Sequence, residues 1–161
     1  MRNRGRNLRN TASVISAIQP TRIVTMPIQT YTGSCHCGAV RFEADIDFSH
    51  GTGRCNCSIC TKTRNWGVVI KPDAFRLLSK PAATTDYQFK STSSVHWPFC
   101  KTCGVRPYGL GDIPEVGGKF VTVSIACIDN ISPEELAAIT VRYADGRNDN
   151  WWNPPAVASY L

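Results

Sequence analysis

The stretch Cys35-His36-Cys37-Gly38-Ala39-Val40-Arg41-Phe42-Glu43-Ala44-Asp45-Ile46-Asp47 decides how this chain is read. Its second half alternates. Val40, Phe42, Ala44 and Ile46 are apolar, while Arg41, Glu43, Asp45 and Asp47 are charged, the period-two pattern of a strand with one face buried. Its first half places two cysteines one residue apart and follows them with glycine. Thiolates two or three positions apart on a tight turn can converge on one metal ion at about 2.3 Å. Gly38 lets the backbone turn with positive φ around that ion.

Working outward, the pattern recurs. Cys55-Asn56-Cys57-Ser58-Ile59-Cys60 and Cys100-Lys101-Thr102-Cys103-Gly104 are two further tight groups, so seven of the eight cysteines are clustered. Disulfides do not explain such clustering, because closing a very short loop restricts the unfolded chain little. Metal binding does, and zinc is the default ion for thiolate sets. Seven ligands divide most simply as four plus three. Four thiolates close a structural site, whereas three leave a coordination position for water or substrate. The competing reading supplies an eighth ligand from His36, His50, His96 or Cys127. Of these, Cys127 reads as a buried thiol in an apolar strand, His50 as a loop residue, and His96 as the best spare ligand.

The rest of the chain is mostly β from Thr30 onward. Trp66 to Ile70 and Ala74 to Leu78 are expected strands flanking a turn at Lys71-Pro72-Asp73, with further strands at Tyr87 to Lys90, Val95 to Phe99 and Val141 to Tyr143. Phe120 to Ile128 is the longest apolar run and is expected to be a central strand. One helix is signalled over 132–139, by Ser132 as N-cap, Pro133 at the first helical position and Glu134 and Glu135 in the first turn. Trp151, Trp152, Pro154 and Pro155 give an irregular aromatic ending.

The length of 161 residues fits one domain, expected over 26–161. The net charge of +6 suggests a nucleic-acid partner, yet five arginines lie in residues 1–25, which hold no acid, leaving 13 basic against 12 acidic residues beyond. The domain is nearly neutral, and nucleic-acid binding is assigned at most to the basic tail. Residues 1–25 have three readings: a transit peptide, a disordered basic arm, or a non-native extension before Met26. No apolar run reaches a membrane span and no secretory signal follows the basic residues, so a cytoplasmic protein is expected.

Three segments together resemble a known family, the glutathione-dependent formaldehyde-activating enzymes, which share their domain with centromere protein V. They are Gly33-Ser34-Cys35-His36-Cys37-Gly38-Ala39-Val40-Arg41-Phe42, Cys55-Asn56-Cys57-Ser58-Ile59-Cys60 and Phe99-Cys100-Lys101-Thr102-Cys103-Gly104. Ala126-Cys127-Ile128-Asp129 adds to the match, and Met26-Pro27-Ile28 stands at the family's usual distance from the first motif. The resemblance implies a mainly β, zinc-bearing, β-tent-like fold of small antiparallel sheets. It implies that Cys35, Cys37, Cys100 and Cys103 hold a structural zinc, and that Cys55, Cys57 and Cys60 hold a second, exchangeable one. The implied reaction is a carbon–sulfur lyase reaction run in reverse, joining glutathione to formaldehyde. The partners are then a small thiol and an aldehyde, with thiol activation at the open three-cysteine zinc. Arg54, Lys62 and Arg64 are candidate partners for the glutathione carboxylates. Trp66 and Trp97 are candidate walls, against a competing role in the core. Arg106-Pro107-Tyr108 departs from the shorter apolar stretch of many relatives and is expected to border the site. The alternatives are a non-catalytic zinc module for protein or nucleic-acid interaction, and a thiol redox sensor at Cys55, Cys57 and Cys60.

Overall fold

Val40, Phe42, Ala44 and Ile46 are all 0–1% exposed, so the alternation does mark the inward row of a strand. The computed structural model describes residues 27–90 and 92–161. The three readings of residues 1–25 lie outside the described residues. The chain forms β1 (Gln29–Ser34), β2 (Arg41–Ile46), β3 (Thr52–Cys55), α1 (Ser58–Thr63), β4 (Trp66–Ile70) and β5 (Phe75–Leu77). There follow β6 (Thr84–Thr85), β7 (Val95–His96), β8 (Phe99–Cys100), β9 (Tyr108–Ile113), β10 (Gly118–Ser124), α2 (Pro133–Ala138) and β11 (Val141–Ala144).

The fold is mainly β, built of small sheets with two short helices among the described residues. A three-stranded antiparallel sheet runs β1-β2-β5 and a two-stranded one pairs β6 with β8. The largest has the order β11-β3-β4-β10-β9-β7. It departs from the antiparallel expectation at one edge, where β11 lies parallel to β3. Aromatic side chains tie the sheets together. Phe42 of β2 stacks on Phe75 of β5 at 5.5 Å, and Phe75 meets Tyr108 of β9 at 4.9 Å. Phe42, fully buried, contributes about 1.5–3 kcal/mol through removal from water, and the partly buried Phe75 less. Gly33 lets β1 pass close to its neighbours, since a Cβ there would stand 2.1 Å from the Phe42 ring and 2.4 Å from the Cys127 carbonyl.

Several expected elements differ. Phe120 to Ile128 is not one strand: β10 stops at Ser124 and a 3₁₀ turn covers Ile125–Cys127. The turn carries the chain from the large sheet to the small one, where Asp129 N–H donates to the Thr32 carbonyl at 2.9 Å. Val95 to Phe99 splits into β7 and β8 around Trp97-Pro98, because Pro98 has no N–H for a ladder. Tyr87 to Lys90 forms no strand. Tyr87 exchanges backbone bonds with Trp97 alone, at 3.0 and 3.3 Å, and the adjoining strand is β6 instead.

The signalled helix is present as α2, and the Ser132 hydroxyl accepts from the Glu135 N–H at 3.1 Å. The buried Tyr31 hydroxyl donates to the Glu135 carboxylate, anchoring the helix to β1. Burial first, and that carboxylate second, push the Tyr31 phenol well above its usual range. Ser132→Ala is expected to cost about 1 kcal/mol through the lost cap. Urea denaturation should show a shifted midpoint with an unchanged slope.

Candidate metal centre

Two tight turns from distant parts of the chain face each other. In the first, Cys35 N–H donates to the Val40 carbonyl at 3.0 Å and Gly38 N–H to the Cys35 carbonyl at 2.9 Å. In the second, Cys100 N–H donates to the Val105 carbonyl and Gly104 N–H to the Cys100 carbonyl, both at 2.9 Å. Gly38 and Gly104 have φ of 74° and 72°, the left-handed conformation that such turns require. The four sulfurs of Cys35, Cys37, Cys100 and Cys103 lie within 4.8 Å of one another. Cys37 Sγ is 3.6 Å from both Cys35 Sγ and Cys100 Sγ. Four sulfurs placed tetrahedrally about 2.3 Å from a centre would have edges of about 3.8 Å, so the set fits a zinc-sized ion. Val40 N–H points at Cys35 Sγ (3.3 Å) and Thr102 N–H at Cys100 Sγ (3.4 Å). The backbone N–H of Cys103, with that of Thr102, pulls the Cys100 thiol down to about 6.

The second set is local. Cys55 ends β3, Cys57 caps α1, Cys60 is buried in that helix, and their sulfurs also lie within 4.8 Å of one another. Cys57 N–H donates to Cys55 Sγ at 3.3 Å. Three thiols this close stabilise one negative charge among them. Hydrogen bonds from Cys55 and then Cys60 pull Cys57 down, while those with Cys55 and then Cys57, and burial after them, push Cys60 up. A cation would let all three ionise, as ligands of a metal must. Either set could hold a metal ion. Among the described residues no other His, Cys, Asp or Glu joins them. His96 is held by Asp86 at 2.6 Å, and His50, expected in a loop, is exposed at the end of a 3₁₀ turn with its ring 3.7 Å from Asp47. His36 and Cys127 line a groove instead.

A brace from a distant part of the chain holds the three-cysteine loop. Asn56, between two of the cysteines, is 4% exposed. Its N–H reaches the Ala144 carbonyl at 3.2 Å, its side-chain amide donates to Asp145 at 2.5 Å, and its side-chain oxygen accepts from Arg147 N–H at 2.8 Å. Hydrogen bonds from Asn148 and then Asn56 hold the Asp145 carboxyl below its usual range. Gly146 lies against the cluster. A Cβ there would stand 2.6 Å from Cys55 Sγ and 2.5 Å from the Trp151 ring. The only sequence signals are a polar residue inside a metal loop and an Asp-Gly turn.

Two grooves adjoin the loop. One, of about 910 Å³, is lined by residues including Arg54, Arg64, Trp66, Arg106 and Cys127. The other, of about 670 Å³, includes Arg54, Cys55, Tyr143 and Trp151. Of the residues expected to meet substrate, Arg54 lines both, its guanidinium 5.1 Å from the centre of the Trp66 ring. Arg64 lines the first, but its Nη1 donates to the Tyr160 carbonyl at 2.6 Å. Lys62 stands in the last turn of α1 and lines neither groove. Trp66 combines both of its readings: it lines the groove, packs against the core and donates its indole N–H to Thr52 at 2.7 Å.

A small mainly β protein with two converging cysteine sets, each able to hold a metal ion, is the class that this fold and site define. The family model described as "Glutathione-dependent formaldehyde-activating enzyme" matches residues 30–145, and the chain belongs to that family. A curated Halomonas elongata protein, whose name provisionally makes it a glutathione-dependent formaldehyde-activating enzyme, is 40% identical over 78 residues. The match covers 44% of this chain and 50% of that protein, so the chain spans about half the length of the curated relative it matches. The crystal structure of a Rhodobacter sphaeroides protein is similar with a TM-score of 0.58 at 24% identity, covering 69% of this chain and 99% of that one. That likeness concerns the fold alone. No helix among the described residues is long and apolar enough to cross a membrane.

Proposed function

We propose that residues 26–161 form one zinc-binding domain that joins glutathione, or a similar thiol, to formaldehyde, giving S-hydroxymethylglutathione. In the reverse direction this is a carbon–sulfur lyase reaction. The observation that carries the reading is the division of the cysteines: one set of four and one set of three, the latter with no fourth protein ligand among the described residues. Family membership and the name of the Halomonas relative support the choice of substrates. Cys35, Cys37, Cys100 and Cys103 hold the structural zinc, and Cys55, Cys57 and Cys60 the second, exchangeable one. Zinc at the three-cysteine set supplies a position at which a thiol loses its proton near neutral pH.

The chain's own residues do the rest. Asn56 and the Asp145 turn fix the loop, and Gly146 leaves room for Cys55 Sγ. Arg54 and Arg64 place positive charge beside the loop for the substrate carboxylates, with Lys62 further out on the helix, and Trp66 walls the groove. In the addition, the thiolate sulfur attacks the aldehyde carbon, the C=O π pair moves to oxygen, and that oxygen takes up a proton. Eight free cysteines fit a reducing compartment, which supports the cytoplasm as its location.

The test is NMR exchange spectroscopy on glutathione and formaldehyde with the zinc-loaded protein. The adduct forms spontaneously, so the expected result is exchange faster than without protein, lost in Cys57→Ser while one zinc is retained. No acceleration by the zinc-loaded wild type would leave a zinc module that binds something else.

A further inference from the structure

Arg106 is a half-buried cation with no acid. Burial lowers its pKa, so the fold holds the charge against a desolvation cost. The groups that touch it are neutral. Its guanidinium lies 4.2 Å from the centre of the Trp97 ring, and Nη2 donates to Thr63 Oγ1 at 3.1 Å and Asn65 Oδ1 at 2.8 Å. Among the described residues no carboxylate lies within ion-pair distance of it. Both polar contacts fall on Nη2, so most of the five N–H donors of a guanidinium remain free. Arg76 shows the contrasting, structural case: it pairs with Glu43 at 3.0 Å and Asp45 at 2.7 Å and has no anion left to seek.

Its position gives the free donors a purpose. Thr63 is the last residue of α1, Asn65 follows its C-cap, and Asn65 N–H donates to the Cys60 carbonyl at 3.0 Å, so both hydrogen-bond partners of the guanidinium belong to the segment that carries Cys60. The groove it lines carries Arg54, Arg64 and Arg106 against a single acid, Asp129. Of the three arginines, Arg64 donates one bond, to the Tyr160 carbonyl, and Arg54 lies over Trp66. Arg106 is the one fixed by two side-chain hydrogen bonds, both on one nitrogen, and by the Trp97 ring.

We propose that Arg106 binds a carboxylate of the thiol substrate, so that this site selects small thiols bearing a carboxylate over neutral thiols. The proposal rests on the thiol-adding function above and adds to it the residue that sets specificity. S-methylglutathione keeps the carboxylates and lacks the thiol, which makes it the probe. It is titrated calorimetrically into the zinc-loaded wild type, Arg106→Gln and Asn65→Asp. The last variant leaves Arg106 in place but sets an internal carboxylate beside it. Zinc content and thermal melts establish that each variant is folded.

Both variants are expected to bind the probe about tenfold to a hundredfold more weakly. In exchange spectroscopy Arg106→Gln should raise the KM for glutathione more than it lowers kcat, and the preference for glutathione over 2-mercaptoethanol should fall. Equal probe binding by wild type and folded Arg106→Gln overturns the proposal. So does a wild type that accelerates glutathione exchange but does not bind the probe, and in both cases the glutathione reading stands. A wild type that neither binds the probe nor accelerates exchange removes the glutathione reading, and the proposal with it.

Discussion

Cys100→Ser is expected to leave the chain without a cooperative fold. Its sulfur is 3.6 Å from that of Cys37, 63 residues earlier, and the set is the point where the β1–β2 connection meets the β8–β9 connection. Cys100 is also 0% exposed and belongs to the same buried core as Phe42 and Tyr108. Structural zinc contributes about 10–16 kcal/mol of binding free energy in small zinc domains. The whole stability of a domain is about 5–15 kcal/mol, so weakening that site consumes it. Chelation should do the same to the wild type. Far-UV circular dichroism and amide dispersion in NMR are the readouts. Cys57→Ser, which touches only the local three-cysteine set, should keep native dispersion and lose one zinc. Native dispersion in Cys100→Ser with no zinc bound would mean that the sheets close through their apolar contacts alone.

What could be read in the sequence were features whose cause is local. Alternation in Val40 to Asp47 predicts a strand because side-chain direction alone sets it. Ser132-Pro133-Glu134-Glu135 predicts α2 because the cap and the first turn lie within four consecutive residues. The cysteine groups are legible because ligand spacing is a property of a turn. Features with distant causes were hidden. β9 contains Gly109 and Gly111, which give it little strand signal, yet their missing side chains make room for Trp97 and the Phe120 ring. α1 is too short to show an apolar period, and its N-cap Cys57 makes no side-chain capping bond. Phe120 to Ile128 holds no glycine, proline or charge, and Thr122 and Ser124 are its only polar residues, so nothing in it marks the turn at Ile125 that passes the chain from one sheet to the other. The brace of Asn56 by Asp145 and Arg147 spans some ninety residues, and no local pattern joins its two ends. Arg106 is similar: its sequence neighbours do not reveal that it lacks an acid, which emerges only when every carboxylate has been placed.

Gly146→Ala is expected to disable the three-cysteine set while every cysteine stays in place. The backbone at Gly146 lies outside the positive-φ region, so alanine meets no conformational penalty and only the contacts matter. Those contacts are severe, 2.6 Å to Cys55 Sγ on one side and 2.5 Å to the Trp151 ring on the other. Gly146 cannot simply back away, because Asn56 binds Asp145 and Arg147 on either side of it and Asp145 N–H is held by the Asn150 and Asn153 carbonyls, both at 3.0 Å. Cys55 Sγ must therefore move, and it moves within a set of three that has no ligand to spare. Displacing groups that orient ligands typically costs about tenfold to a hundredfold in metal affinity. Competition against a chromophoric chelator should show that loss for one zinc and leave the other unchanged. Overpacking should cost about 1–3 kcal/mol of global stability, well short of unfolding. Adding Trp151→Ala opens the far side of Gly146 and should recover part of the affinity. Unchanged affinity in Gly146→Ala would mean that the Trp151 ring, rather than the cysteine, yields to the new methyl group.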